Sequence, residues 1–414
     1  MTAHQVLRAV LLVLLAACSA WAYDGRVLDA VTAKPITGAV VTLGDVIARA
    51  DANGTFRIDG PGDTLLVRAI GYRRADVALN RSDDPAGPIR LTPFEPKALY
   101  LSFYGIGNQH LRESALDVLE ATELNAVVID AKGDNAKIPY ASAVPLAAAV
   151  GAQRPRTIND LAALMTTLRE KKIYTIARIV VFKDVLLASA KPDLAVKTRS
   201  GSPWRDRENL AWTDPFRKVV WDYNIDIAVE AARYGFDEIQ FDYLRFPDAP
   251  GLAYAQPSTQ ASRIAAIGGF LAEARRRLVP YNVFLSADIF GYVCWNLNDT
   301  MIGQRLEDLA PLLDFISPML YPSSFQFGIP GYRYPVAHPY EIVYHSLQRA
   351  RERTHLPPSR FRPWLQAFKD YGFDHRPFEA HEIRSQIRAA EEFGSNGWML
   401  WNPHNVYSAD GLER

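Results

Sequence analysis

Two stretches of this sequence carry carboxylates at strand spacing. In Glu238-Ile239-Gln240-Phe241-Asp242-Tyr243, polar and apolar residues alternate. An extended chain therefore sets Glu238, Gln240 and Asp242 on one face and Ile239, Phe241 and Tyr243 on the other. Ser286 and Asp288 share a face of a second run in the same way. Apolar strands do not turn polar groups inward unless those groups are paired or used. Two carboxyls that share a site can divide the work of glycosidic cleavage. One protonates the leaving oxygen and the other acts as nucleophile or base.

Other polar residues end or interrupt apolar runs: Asp130 and Lys132, Arg178, Ser317 and Tyr321, Gln366, and Trp401 with Asn402. Cations such as Lys132 and Arg178 would keep a neighbouring carboxyl ionised. Rings such as Tyr321 and Trp401 can stack on the apolar faces of sugars. Each residue also has a bland role. A strand-end Asp often caps a helix, a buried cation often pairs structurally, and a Trp often fills a core. Together they outweigh any single member, because several separate strands deliver them.

The same inventory excludes other chemistries. The eight histidines contain no H-x-H or H-E-x-x-H pair, which disfavours a metallohydrolase, and no metal or other cofactor is expected. No G-x-S-x-G elbow is present, which disfavours a serine esterase. With 46 basic and 46 acidic residues the net charge is zero, against the basic excess of a nucleic-acid binder. Two cysteines, Cys18 and Cys294, make no disulfide framework. The expected partner is a carbohydrate, and nothing in the sequence fixes an oligomeric state.

The elements that position these residues follow from the pattern. From residue 97 onward, short apolar runs alternate with amphipathic segments. Strands are expected at 99–104, 126–131, 174–181, 238–243, 283–290, 315–321, 364–368 and 397–401. Helices are expected at 159–171, 215–234, 263–278, 340–353 and 380–393. Eight such units predict an α/β fold, a (β/α)8 TIM barrel over 97–414, whose strand C-termini would gather the polar residues at one mouth. An open doubly wound sheet is the alternative. Its phosphate loop would have to be Tyr104-Gly105-Ile106-Gly107-Asn108, a poor match.

Residues 23–92 carry strand and turn chemistry throughout and predict a small all-β sandwich. The turn Asp51-Ala52-Asn53-Gly54 is the clearest signal. Val27-Leu28-Asp29-Ala30, Pro35-Ile36-Thr37-Gly38-Ala39, Asn53-Gly54-Thr55-Phe56 and Ala69-Ile70-Gly71-Tyr72 resemble the carboxypeptidase regulatory-like, or transthyretin-like, sandwich. That resemblance implies docking or spacing more than catalysis. Residues 1–22 read as an export signal, with an apolar run too short to span a bilayer. Ala20-Trp21-Ala22 suits ordinary cleavage, whereas Leu15-Ala16-Ala17-Cys18 resembles a lipobox that would lipidate Cys18 and anchor the chain to a membrane. Either route predicts a place in the bacterial cell envelope or outside the cell.

Gly235 through Pro247, with Asn125 through Lys132, Phe315 through Pro322 and Gly397 through Asn402, resembles a bacterial family of glycosyl hydrolase-like TIM barrels of uncharacterised function. That family is distantly similar to the α-amylase-like clan, which carries an aspartate nucleophile on strand four and a glutamate acid on strand five. Asp242 matches the first. Asp288 holds the second position but is one methylene shorter. The resemblance implies Asp242 and Asp288 as the catalytic pair. Asp130, Lys132, Arg178, Gln240, Arg245, Tyr321, Gln366, Trp401 and Asn402 are the expected substrate contacts. The expected function is hydrolysis of a poly- or oligosaccharide. The alternative is a non-catalytic glycan binder or envelope scaffold on the same barrel.

Overall fold

A computed structural model describes residues 22–79 and 87–414. Residues 1–21, including Cys18 and nearly all of the expected export signal, lie outside the described residues. The first seven strands form two facing sheets. They are β1 (Tyr23–Asp29), β2 (Val40–Leu43), β3 (Val46–Arg49), β4 (Thr55–Ile58), β5 (Thr64–Arg68), β6 (Ala75–Ala78) and β7 (Ile89–Leu91), in orders β4-β1-β7 and β3-β2-β5-β6. Val27, Val41, Leu43, Phe56, Ile58, Leu65 and Val67 alternate inward and fill the space between them. Gly54 makes the predicted turn at φ +73°, where a Cβ would meet the Val27 carbonyl oxygen at 2.4 Å.

Eight parallel strands then close a barrel: β8 (Lys97–Leu101), β9 (Ala126–Lys132), β10 (Tyr174–Val180), β11 (Glu238–Asp242), β12 (Phe284–Phe290), β13 (Phe315–Met319), β14 (Trp364–Gln366) and β15 (Trp398–Trp401). The expected (β/α)8 architecture is therefore present, and the open-sheet alternative is overturned. β8 ends earlier than expected because Ser102 caps a short helix, Phe103–Gly107, accepting the Gly105 amide on its Oγ. That helix is the stretch that resembled a poor phosphate loop. The helix expected at 215–234 begins only at Lys218. Asp214 spends its carboxylate on the amides of Phe216 and Ala255 instead of capping it.

The barrel interior is packed. Tyr100, Val128, Tyr174, Ile176, Phe284, Phe315, Trp364 and Met399 fill it. At its base Glu238 accepts from Arg362 Nη1 at 2.6 Å, Tyr174 at 2.9 Å and Ser286 at 2.5 Å, with both charged groups fully buried. The β-sandwich docks on this same end. Ile70 and Phe94 pack into the base cluster. Arg74 pairs with Asp237 at 3.1 Å, and Arg68 lies 3.8 Å from Asp314 and donates to Asn282. Asp237, Asn282 and Asp314 each directly precede or lie just before a barrel strand, so the sandwich closes the barrel opposite its C-terminal mouth. Among the described residues no helix is long and apolar enough to cross a membrane.

Candidate active site

Arg178 is the hub of the mouth. It projects from β10 and is 1% exposed. Its Nη1 donates to Asp130 on β9 at 2.7 Å, its Nε to Asp242 on β11 at 2.9 Å, and its Nη2 to Asp134 at 2.8 Å. Burial opposes its charge, yet Asp134, Asp242, Tyr100 and Asp130 together hold its pKa well above the ordinary arginine value. Asp130 also accepts from the Tyr100 hydroxyl at 2.8 Å and the Phe103 amide at 3.0 Å. Burial raises the Asp130 pKa, with Arg178 working against the rise.

Asp242 and Asp288 are neighbours. Gln240 pairs with Ser286 and Phe241 with Ala287 across β11 and β12, so the next step of the register sets Asp242 beside Asp288. Adjacent strands lie roughly 4.8 Å apart. The two carboxyls differ in surroundings. Asp242 accepts the Arg178 guanidinium on Oδ2 and the Tyr243 amide on Oδ1. Asp288 accepts one neutral donor, Trp364 Nε1 at 2.7 Å. Burial pushes the Asp288 pKa well above the usual carboxylate range, and the charge of Asp242 pushes it further. Asp242 is 5% and Asp288 2% exposed, so both sit deep in the mouth. Tyr321 stands near them. Burial, then Asp288 and Asp242, raise its phenol well above the ordinary tyrosine value.

Trp401 reaches the mouth, but one face is covered by Tyr100, stacked at 4.0 Å between centroids. The Arg178 guanidinium lies 4.8 Å from the same indole centroid. Arg245 sits on the flank, over Trp212 at 4.8 Å and Tyr243 at 5.3 Å. Tyr243 itself departs from the expected helix-facing position. β11 ends at Asp242, and Tyr243 takes φ +48°, which breaks the alternation. Its ring meets the Lys183 ammonium at 4.7 Å instead.

Three expected substrate contacts are closed off, and a fourth, Asn402, is taken up by its own loop. Lys132 leaves the mouth because the β9–β10 register slips at Ala131: Asp130 stands opposite Arg178, but Lys132 stands opposite Ile179. Ile179 faces the helices, and so does Lys132. It is fully buried, pairing with Asp184 at 2.6 Å and donating to Asn224 at 2.8 Å and the Val180 carbonyl at 2.9 Å. Burial lowers its pKa and Asp184 works to raise it. Gln240 does point inward, but it lies below Asp242 in a fully buried layer, donating to Ser317 at 3.2 Å. Gln366 is roofed by the turn Pro322–Ser324. It accepts from the Ser323 amide at 3.0 Å and donates to Ser323 Oγ at 2.7 Å and to the Phe368 carbonyl at 3.0 Å. Asn402 braces its own loop, donating to the carbonyls of Ala367 at 2.7 Å and Val406 at 2.9 Å and accepting the His404 amide at 2.9 Å.

Sequence reasoning missed Tyr100, Asp134, Lys183 and Trp364. Tyr100 was legible as an inward position two residues after Ala98. Asp134 was signalled by Gly133, where a Cβ would meet Asp130 Oδ2 at 2.7 Å. The glycine lets the loop pass tightly over Asp130 and deliver Asp134 to Arg178. Trp364 carried no signal of its own, since an inward Trp also reads as core. A cavity of about 160 Å3 opens beside this cluster, lined by Tyr100, Tyr104, Asp130, Asp134, Lys137 and Trp401 among others. Among the described residues no group of three His, Cys, Asp or Glu side chains is placed to hold a metal ion.

A family model described as "putative glycosyl hydrolase domain" matches residues 98–407. No curated protein matches the chain. Among solved structures, a hypothetical protein from Ruminiclostridium thermocellum ATCC 27405 is 40% identical over 46% of this chain and 96% of its own, with a TM-score of 0.42. The glycoside hydrolase domain of PgaB (BpsB) from Bordetella bronchiseptica is 14% identical over 78% of this chain and 99% of its own, with a TM-score of 0.58, a likeness of fold. A class V chitinase from Pseudomonas fluorescens Pf-5 is 13% identical over 77% of this chain and 96% of its own, with a TM-score of 0.46.

Proposed function

This chain belongs to the family described as "putative glycosyl hydrolase domain", matched over residues 98–407, and from that premise we propose that it hydrolyses glycosidic bonds of a poly- or oligosaccharide with Asp242 and Asp288. One observation carries the reading. Two adjacent carboxyls differ in environment as an acid and a nucleophile or base must. Asp242 holds the Arg178 ion pair, while burial and the charge of Asp242 favour the protonated form of Asp288. Asp288 would protonate the leaving glycosidic oxygen. Asp242 would attack the anomeric carbon or activate a water. Arg178 positions Asp242, and Tyr321 and Arg245 flank the reacting sugar.

The test replaces Asp242 by Asn and, separately, Asp288 by Asn, and measures reducing-end release from a glycan panel. Loss in both variants, with folded protein, supports the reading. Unchanged hydrolysis by the Asp242 variant removes it.

The depth of both carboxyls favours a second reading, a glycan-binding protein without turnover. Binding without reducing-end release over long incubation would support it. Export completes the proposal, supported by the apolar run and the two small-residue cleavage motifs near Cys18. Labelled fatty acid should enter the wild-type chain and not a Cys18→Ser variant if the lipobox is used.

A further inference from the structure

The cavity lined by Tyr100, Asp130 and Trp401 holds two more groups, Tyr104 and Asp134, that the proposed chemistry does not use. Tyr104 is 57% exposed, the most open ring on the cavity wall. It lies edge-on to Phe103, with 5.0 Å between ring centroids. Asp134 has a side chain 36% exposed, unlike the sealed Asp130 and Asp242. Its Oδ1 takes Arg178 Nη2, and its Oδ2 has no partner among the described residues. A carboxylate only accepts hydrogen bonds, so at this exposed position Oδ2 can take a ligand hydroxyl in place of solvent. The cavity, at about 160 Å3, has room for a single ring rather than a chain. A flat apolar surface next to a bare acceptor suits a pyranose, which has C–H faces and donating hydroxyls.

We propose that Tyr104 and Asp134 form a one-ring subsite for a neutral pyranose, with the ring on Tyr104 and its hydroxyls donating to Asp134. This deepens the glycoside reading and rests on it for the identity of the ligand as a sugar. Asp134 also sets specificity. A uronic acid would bring its carboxylate against Asp134, and Arg178, already shared by three carboxylates, has no donor left to relieve the repulsion. Lys137 also lines the cavity, its ammonium 5.9 Å from the Phe103 ring centroid and without an ion pair to Asp130 or Asp134 among the described residues.

The test uses the full chain and one-ring probes: the methyl glycosides of glucose, galactose, mannose and N-acetylglucosamine, with methyl glucuronide as the acidic probe. Saturation-transfer NMR reads contact directly. A neutral glycoside should give transfer in the wild type, weakened about tenfold in Asp134→Asn and in Tyr104→Ala. Asp134→Asn should also raise methyl glucuronide relative to the neutral probe. A residue that merely braced Arg178 would not produce that gain. Absence of transfer from every neutral probe, equal transfer in both variants, or a wild-type preference for glucuronide would overturn the subsite. Because binding is read without turnover, the outcome is separable from that of the hydrolysis assay. Inactive Asp242 and Asp288 variants with unchanged Asp134 binding leave catalysis standing and the subsite refuted. The reverse pattern does the opposite.

Discussion

Arg178 stands opposite Gln240 in the β10–β11 register, yet it bonds to Asp242, one inward layer higher. Val180 is the residue level with Asp242. The guanidinium climbs the barrel wall and leaves the layer beneath to Gln240 and Ser317. The reach has a physical cause. A planar fork with five donors can serve Asp130, Asp134 and Asp242 together, where an ammonium could not.

That sharing predicts a large stability cost at Arg178. Replacement by Met strands Asp130 and Asp242 in a buried site without a counter-charge, at a cost of about 3–5 kcal/mol. Arg178→Lys should recover little of this, since one ammonium cannot span three carboxylates. Urea denaturation of the three proteins checks the order.

The raised Asp288 pKa predicts the alkaline side of the pH profile. The proposed acid must be protonated, so kcat/KM should fall as pH climbs through a value above the ordinary carboxylate range. Removing the neighbouring charge in Asp242→Asn should lower the Asp288 pKa, read by carbon-13 titration of its carboxyl. Stability follows the same sign. A carboxyl raised on folding costs nothing while protonated in both states. It costs stability once pH passes its unfolded pKa, and the loss grows until pH passes the folded value. Asp288→Asn should therefore flatten the decline of stability in that window.

Lys132 separates structure from substrate contact. Lys132→Met leaves Asp184 buried without its 2.6 Å partner and should cost about 3–5 kcal/mol. Activity per folded molecule, measured as kcat and KM below the melting range, should stay at the wild-type value. A rise in KM alone would return Lys132 to the substrate site.

The docked sandwich predicts one cooperative unit. Arg68→Ala removes the Asn282 hydrogen bond and the approach to Asp314 at the barrel base. The expected cost is about 1–3 kcal/mol, with sandwich and barrel still unfolding in one transition. Calorimetry that resolved two transitions in the wild type would show that the base contacts do not couple them.

Much of this was written in the order of residue types. Alternation in Glu238 through Asp242 set those carboxyls inward, because successive side chains on a strand must point to opposite faces. Eight apolar runs separated by amphipathic segments left a closed parallel sheet as the economical way to bury them. What alternation could not supply was the place where it stops. One extra residue at Ala131 turned Lys132 out of the mouth, and the left-handed Tyr243 ended the periodicity of β11. Both depend on how neighbouring strands pair. The same holds for charge: whether Asp242 or Asp288 keeps its proton depends on which side chains the closed barrel packs around it. Such proximity between residues far apart in the chain comes only with the tertiary fold.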